Sequence, residues 1–182
     1  NHDYVLETSA EELRGRLAAV FEQDWSLAGG VPAPLPPAAD AAVQTAPGQE
    51  IRARLVGDLA SARTRVLVEV FDLTDVEVVS ALAAAARRGV AVRVLLDPNQ
   101  SVNLRSFGLL RASGVPVRWY PVSPPAKLHA KTGLFDARLL VGSANWSRSG
   151  LDSNHELDVE TTDRGAVGAY EQRFEADWAR SR

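Results

Sequence analysis

Residues 1–25 repeat residues 154–178. Asn1 to Trp25 aligns on Asn154 to Trp178 without a gap at a constant offset of 153 positions: Asn1-His2 falls on Asn154-His155, Glu7-Thr8 on Glu160-Thr161, Gly15 on Gly168, Phe21-Glu22 on Phe174-Glu175 and Asp24-Trp25 on Asp177-Trp178. Nine identities in twenty-five positions, ending on a tryptophan of which the chain holds only four, are too many for chance. A repeat constrains a fold more than any local propensity, because equivalent residues must serve equivalent structures. The spacing predicts that residues 1–28 are the C-terminal tail of a preceding repeat and that residues 49–182 form a lobe with its own copy of that tail. The earlier copy is therefore expected to begin upstream of Asn1. Residues 29–48, with Pro32, Pro34, Pro36, Pro37 and Pro47, read as a Pro/Ala-rich linker, since proline fixes φ and removes a backbone donor.

Within 49–182, two hydrophobic periods alternate. Ile51, Leu55 and Leu59 recur at helical spacing between Gln49 and Ala62, and Arg65 to Phe71 is a β-branched run. Asp75 has the chemistry of an N-cap for a helix reaching Arg88, with Gly89 just past its end. Val90 to Leu96 reads as a strand, Asn103 to Ala112 as a helix, Val115 to Tyr120 as a strand, and Pro121 to Pro125 as a loop. Leu134 to Val141 reads as strand, tight turn and strand, and Asn154 to Thr161 as another strand. Asp163 to Arg180 is a last helix, with Val167, Tyr170, Phe174 and Trp178 on one face as core. Strands alternating with helices predict an α/β fold, a mixed β-sheet sandwiched by helices.

At 182 residues and 46% hydrophobic, the chain can bury a substantial core. It contains no cysteine, which removes disulfides and thiolate metal sites and is compatible with any redox compartment. No apolar run reaches the roughly 18 residues of a membrane span. Localisation stays unknown, secretion included. The net charge of −3 argues against a broad basic face for duplex nucleic acid. Local clusters such as Arg52, Arg54, Arg63 and Arg65, or Arg87 and Arg88, are expected mainly as solvated helix decoration.

The chemistry concentrates between His129 and Glu156. On an extended strand His129 and Lys131 face the same side, while Leu128, Ala130 and Thr132 face the other. The hairpin that follows would bring Ser143 and Asn145 beside the histidine. Only two of the twenty basic residues are lysines, Lys127 and Lys131, so lysine is confined to this stretch. No H-E-x-x-H or Cys/His cluster occurs, and neither a metal nor a cofactor is expected.

His129-x-Lys131 followed by Asp136, then Gly142-Ser143-x-Asn145, with Asn154-His155-Glu156 downstream, resembles the signature of the phospholipase D superfamily. Upstream, Arg65 to Pro98 is similar to the strand, helix and strand that precede the motif there, and about Ala46 to Trp178 is covered. One departure is visible: the stretch from Ala137 to Val141 is one residue shorter than usual. The resemblance implies a phospholipase D-like lobe and a metal-independent phosphodiesterase working through a phosphohistidine. Phospholipid hydrolysis or phosphatidyl transfer is favoured over a nuclease of the same superfamily, and a non-catalytic scaffolding lobe is the reading of another class.

By the same resemblance His129 is the nucleophile or the leaving-group acid. Lys131 and Asn145 hold phosphate oxygens, and Ser143 supports them. Glu156 is expected to orient His129, Asp136 to be structural, and Asp3 to orient the histidine of the earlier copy. His2 and His155 are expected to be structural. The implied partner is an N-terminal lobe with a second motif, on the same polypeptide or another chain, or a second copy in a homodimer. The earlier histidine would lie about 27 residues before Asp3, the distance from His129 to Glu156.

Overall fold

The computed structural model describes residues 1–32, 34, 41–47 and 49–182. The linker expected over 29–48 lies partly outside the described residues. Within it Val43–Ala46 forms β1, a four-residue edge strand paired antiparallel with Glu156–Thr161 (β7), where the proline-rich composition suggested only connection.

Among the described residues seven strands form one mixed sheet, in the order β1-β7-β6-β5-β2-β3-β4. Arg65–Val70 (β2), Ala91–Leu96 (β3) and Val117–Trp119 (β4) run parallel. Lys131–Phe135 (β5) joins β2 antiparallel, and Arg138–Gly142 (β6) pairs with β5 and β7. The helices before β6 are Glu11–Ala28 (α1), Glu50–Ser61 (α2), Val76–Arg87 (α3) and Asn103–Ala112 (α4). Arg148–Asp152 (α5) and Arg164–Arg180 (α6) follow it.

The sheet is buried on both faces because its central strands alternate without a polar face. Val66, Val68 and Val70 of β2 pack with Ile51, Leu55, Leu59, Val78 and Leu82 from α2 and α3, while Leu67 points to the opposite side with Leu95, Leu134 and Leu139. That second layer is closed by Tyr170 and Phe174 of α6, with Trp178 packed at its margin. Asp75 caps α3, its Oδ1 accepting from the backbone of Glu77 and Val78, and Gly89 at φ +90° ends the helix in the left-handed region. The layering is the α/β sandwich expected from the sequence.

The arginines singled out earlier are mostly occupied inside the fold. Arg52 pairs with Asp75 and Asp152, Arg65 with Glu171, and Arg88 donates to the Leu59 carbonyl. Among the described residues no helix is long and apolar enough to cross a membrane.

Candidate active site

The site lies where the lead-in to β5 meets the first residues of the chain. Backbone of His2 and Leu128 forms a parallel bridge: the His2 amide donates to Lys127 O at 2.8 Å and the His129 amide to His2 O at 2.8 Å. Parallel registry puts the next side chains together, and Asp3 Oδ1 lies 2.9 Å from His129 Nδ1. The regular ladder of β5 begins only at Lys131, yet the alternation expected of this stretch is kept. Leu128 and Ala130 are buried in the core and His129 is exposed.

Lys131 is buried beside this histidine and donates from Nζ to the His129 carbonyl at 2.6 Å. Burial pushes its ammonium down, opposed by the carboxylates of Asp3, Glu156, Asp158 and Asp72. The Phe71 ring lies 5.1 Å from the His129 ring and 5.2 Å from Lys131 Nζ, so one aromatic side chain backs both groups. Asp3, His129, Lys131, Gly142 and Ser143 line a pocket of about 170 Å³.

The carboxylate seated on His129 is thus Asp3, and Glu156 is engaged elsewhere. Ser143 Oγ donates to Glu156 Oε2 at 2.5 Å, Asn154 Nδ2 donates to Oε1 at 3.0 Å, and the Leu157 amide donates to Ser143 Oγ at 3.1 Å. Asn145 lines neither this pocket nor the neighbouring cleft, and its buried Oδ1 has no hydrogen-bond partner among the described residues. The turn carrying Ser143 and Asn145 is held from below by Asp158, whose Oδ1 accepts from the Ala144 amide at 3.2 Å. A Cβ on Gly142 would lie 1.7 Å from that oxygen, so only glycine fits. Burial pushes the Asp158 carboxyl up to about 7.

Asp136 stands at the far end of the hairpin, in the two-residue turn between Phe135 and Arg138, at φ +56°. Burial works against its charge, but amides of Arg63, Thr64 and Arg65 and the Thr64 hydroxyl all donate to it and hold its carboxyl well below the usual range. It anchors the loop before β2 and touches no group of the pocket. His2 is drawn inward, with Nε2 3.2 Å from buried Glu69 and 3.6 Å from Asp177, whereas His155 Nδ1 meets Asp24 Oδ1 at 3.2 Å on the surface.

The family described as "Cardiolipin synthase, PLD-like domain" matches residues 55–178, a span holding every strand of the sheet but β1 and all the motif residues. The chain belongs to the phospholipase D superfamily. Relatives include a protein named mitochondrial cardiolipin hydrolase from Danio rerio, 33% identical over 130 residues, covering 70% of this chain and 57% of that protein. The human protein of that name is 31% identical, over 72% and 52%. Cardiolipin synthase A of Pseudomonas aeruginosa is 36% identical over 115 residues, covering 59% of this chain and 23% of that one. The chain thus spans little more than half the length of the hydrolases it matches. The phospholipase D family member Nuc of Salmonella typhimurium superposes with a TM-score of 0.70 at 22% identity, over 77% of this chain and 94% of its own. It shares the phospholipase D-like fold.

Three features of this superfamily member escape a reading of the sequence. Phe71 carries no motif, although its place at the end of β2 beside β5 follows from the pairing. Asp158 lies on the strand of Glu156 and could be suspected only from period-two spacing. The Asp3–His129 contact joins residues 126 positions apart, a proximity that no local pattern encodes.

Proposed function

We propose that this chain carries half of the active centre of a metal-independent phosphodiesterase that cleaves or transfers a phospholipid headgroup through a phosphohistidine. The observation that carries the reading is the His129 Nδ1 to Asp3 Oδ1 contact of 2.9 Å with buried Lys131 on the same side. A carboxylate at Nδ1 takes the ring N–H and leaves Nε2 with its lone pair, the state a nucleophile needs. Attack on phosphorus forms the Nε2–P bond and breaks the P–O bond to the leaving alcohol, which takes a proton from an acid. Water or a second alcohol then gives its proton to the conjugate base of that acid and attacks phosphorus, breaking the Nε2–P bond to release the product and restore neutral imidazole. Asp3 stabilises the imidazolium character in between.

Lys131 keeps two further N–H donors beyond the one given to the His129 carbonyl, and they supply charge to the non-bridging phosphate oxygens as negative charge builds there. Ser143, held by Glu156, borders the same pocket, and Asn145 stands on the turn beside it. The leaving-group acid is assigned to the histidine of a second lobe, because one imidazole cannot be nucleophile and acid in the same step. Relatives named for cardiolipin hydrolysis and synthesis support the lipid substrate.

The deciding assay uses the complete gene product with a chelator present, comparing headgroup release from cardiolipin or phosphatidylglycerol vesicles with cleavage of single-stranded DNA. His129-dependent release from lipid is expected. Nucleotide release without lipid turnover overturns the substrate reading, and turnover that collapses with chelator overturns the mechanism.

A further inference from the structure

The row of side chains that carries His129 and Lys131 begins one step earlier. Lys127, His129 and Lys131 alternate with buried Leu128 and Ala130, which puts all three on the side of the pocket. Lys127 Nζ lies 5.5 Å from the centre of the Phe71 ring, the same ring that stands 5.2 Å from Lys131 Nζ and 5.1 Å from the His129 ring. The only two lysines of the chain therefore meet at one aromatic side chain. They are engaged differently. Lys131 is buried and gives one hydrogen to the His129 carbonyl, whereas Lys127 is exposed and its ammonium makes no ion pair or hydrogen bond among the described residues.

The backbone that carries this free ammonium is fixed on both sides. Lys127 O accepts from the His2 amide at 2.8 Å, the Leu128 amide donates to Asp97 Oδ2 at 2.6 Å, and Asn99 Nδ2 donates to Ala126 O at 3.1 Å. Asp97, just past the end of β3, is fully buried, and its other oxygen takes the Asn99 amide at 2.7 Å. A buried carboxylate spent on the amide next to Lys127 holds the stem of the side chain in one place, which lowers the ordering cost of binding an anion there. The neighbouring sequence offers no acid to compete for it. From Pro98 to Phe135 the chain has five basic residues and no acidic one, although acidic residues outnumber basic ones over its whole length.

We propose that Lys127 anchors a second phosphate of the substrate, joined to the attacked one through three carbons. Extended backbone places residues two apart at a separation of about 7 Å, across six bonds. Six bonds, P–O–C–C–C–O–P, also separate two phosphates bridged by a glycerol. With one phosphate over His129 and Lys131, the other reaches Lys127 and meets three N–H donors that nothing else has taken. A lipid with a single phosphate fills the first position alone. The same three carbons join successive phosphates of a nucleic acid strand, so the shared chemistry is a bisphosphate, from a glycerol-bridged lipid or from a strand. The lipid follows from the function proposed above, on which this inference rests.

The complete gene product is assayed for headgroup release from vesicles of cardiolipin, with two phosphates, and of phosphatidylglycerol, with one, matched in surface charge. Lys127→Met is expected to lower the ratio of kcat/KM for cardiolipin over phosphatidylglycerol about 30-fold, and Lys127→Arg to restore most of it. Lys131→Met, beside the attacked phosphate, is expected to slow both lipids by the same factor. An unchanged ratio in Lys127→Met overturns the proposal, as does a ratio that Lys131→Met shifts equally far. Binding without turnover separates the subsite from the function. In calorimetric titration of the complete product, propane-1,3-diol bisphosphate is expected to bind about 30-fold more tightly than propanol monophosphate, and Lys127→Met to remove most of that preference. A Lys127-dependent preference without any lipid cleavage keeps the subsite and removes the function, and lipid cleavage without the preference does the reverse. Thymidine 3′,5′-bisphosphate against thymidine 5′-monophosphate is the nucleic acid arm. A Lys127-dependent preference confined to the thymidine pair keeps the subsite and overturns the lipid as its source.

Discussion

Two carboxylates at equivalent positions of the repeat, Asp3 and Glu156, serve the cleft differently. Asp3 holds an imidazole at 2.9 Å, whereas Glu156 holds the hydroxyl of Ser143 and the amide of Asn154. Equivalent positions with unequal partners support the proposal that each acid belongs to the histidine of the other copy. On the two-lobe reading proposed above, the catalytic pair is assembled across lobes, which would tie chemistry to docking: a lobe that has not engaged its partner would lack the group that selects its histidine tautomer.

The largest effect expected is at the imidazole itself. His129→Ala in the complete gene product should cut turnover by on the order of 10³-fold or more, equivalent to about 4 kcal/mol in the barrier. Steady-state headgroup release measures it, and near-normal turnover would leave this half of the comparison without catalytic meaning.

Exchange of the two acids sharpens it further. Asp3→Asn should slow turnover by on the order of 10²-fold, because an amide no longer stabilises the positive ring. Nitrogen NMR of His129 should show the Nδ1–H tautomer in the parent chain and in Glu156→Gln, but not in Asp3→Ala. Loss of that tautomer in Glu156→Gln instead would return the assignment to the pairing expected from the sequence.

That reversal shows what a sequence carries and what it does not. β2, β3 and α3 were legible because Val66, Val68 and Val70, the helical recurrence of Val78, Val79 and Leu82, and the Asp75 cap are local signals. The hairpin between β5 and β6 was legible from its apolar runs. β1 was not, because Val43 to Ala46 gains its order from pairing with β7 and its composition merges with the prolines before it. α5 is five residues long, too short for a period to register. Spacing named His129, Lys131 and Ser143, which do share the pocket, and also Asn145, which lies outside it; whether Asp3 or Glu156 faces His129 depends on how the start of the chain docks. Repeat symmetry admits either arrangement.

At the far end of the hairpin the expected effect is on stability. Asp136→Ala removes a carboxylate that accepts from three amides and a hydroxyl, and should cost about 2 kcal/mol without moving any group of the pocket. Its folded carboxyl titrates below the unfolded one. The stabilisation it gives is therefore complete above about pH 4 and lost as the pH falls through the folded value. Denaturant unfolding at neutral and acidic pH should find the variant's deficit shrinking towards low pH.

Asp158 should do the opposite, and the contrast distinguishes the two ends of the same hairpin. Burial beneath the Ser143 turn raises its carboxyl to about 7, well above the roughly 4 of an unfolded chain. A group that holds its proton more tightly when folded favours the fold fully below the unfolded value, and that contribution is lost as the pH climbs through about 7. Asp158→Asn keeps an oxygen for the Ala144 amide and cannot ionise. Its melting temperature should consequently fall less than the parent's between pH 4 and 7. Some slope should survive, because Asp58, pushed up to about 7 by burial and by Glu160, titrates over the same range beneath β6. An unchanged slope would mean that Asp158 stays charged in the fold, drawn down by Lys131. In that case the Ser143 turn and the lysine would form one ionic unit, and Lys131→Met would be expected to disturb the turn as well as the phosphate site.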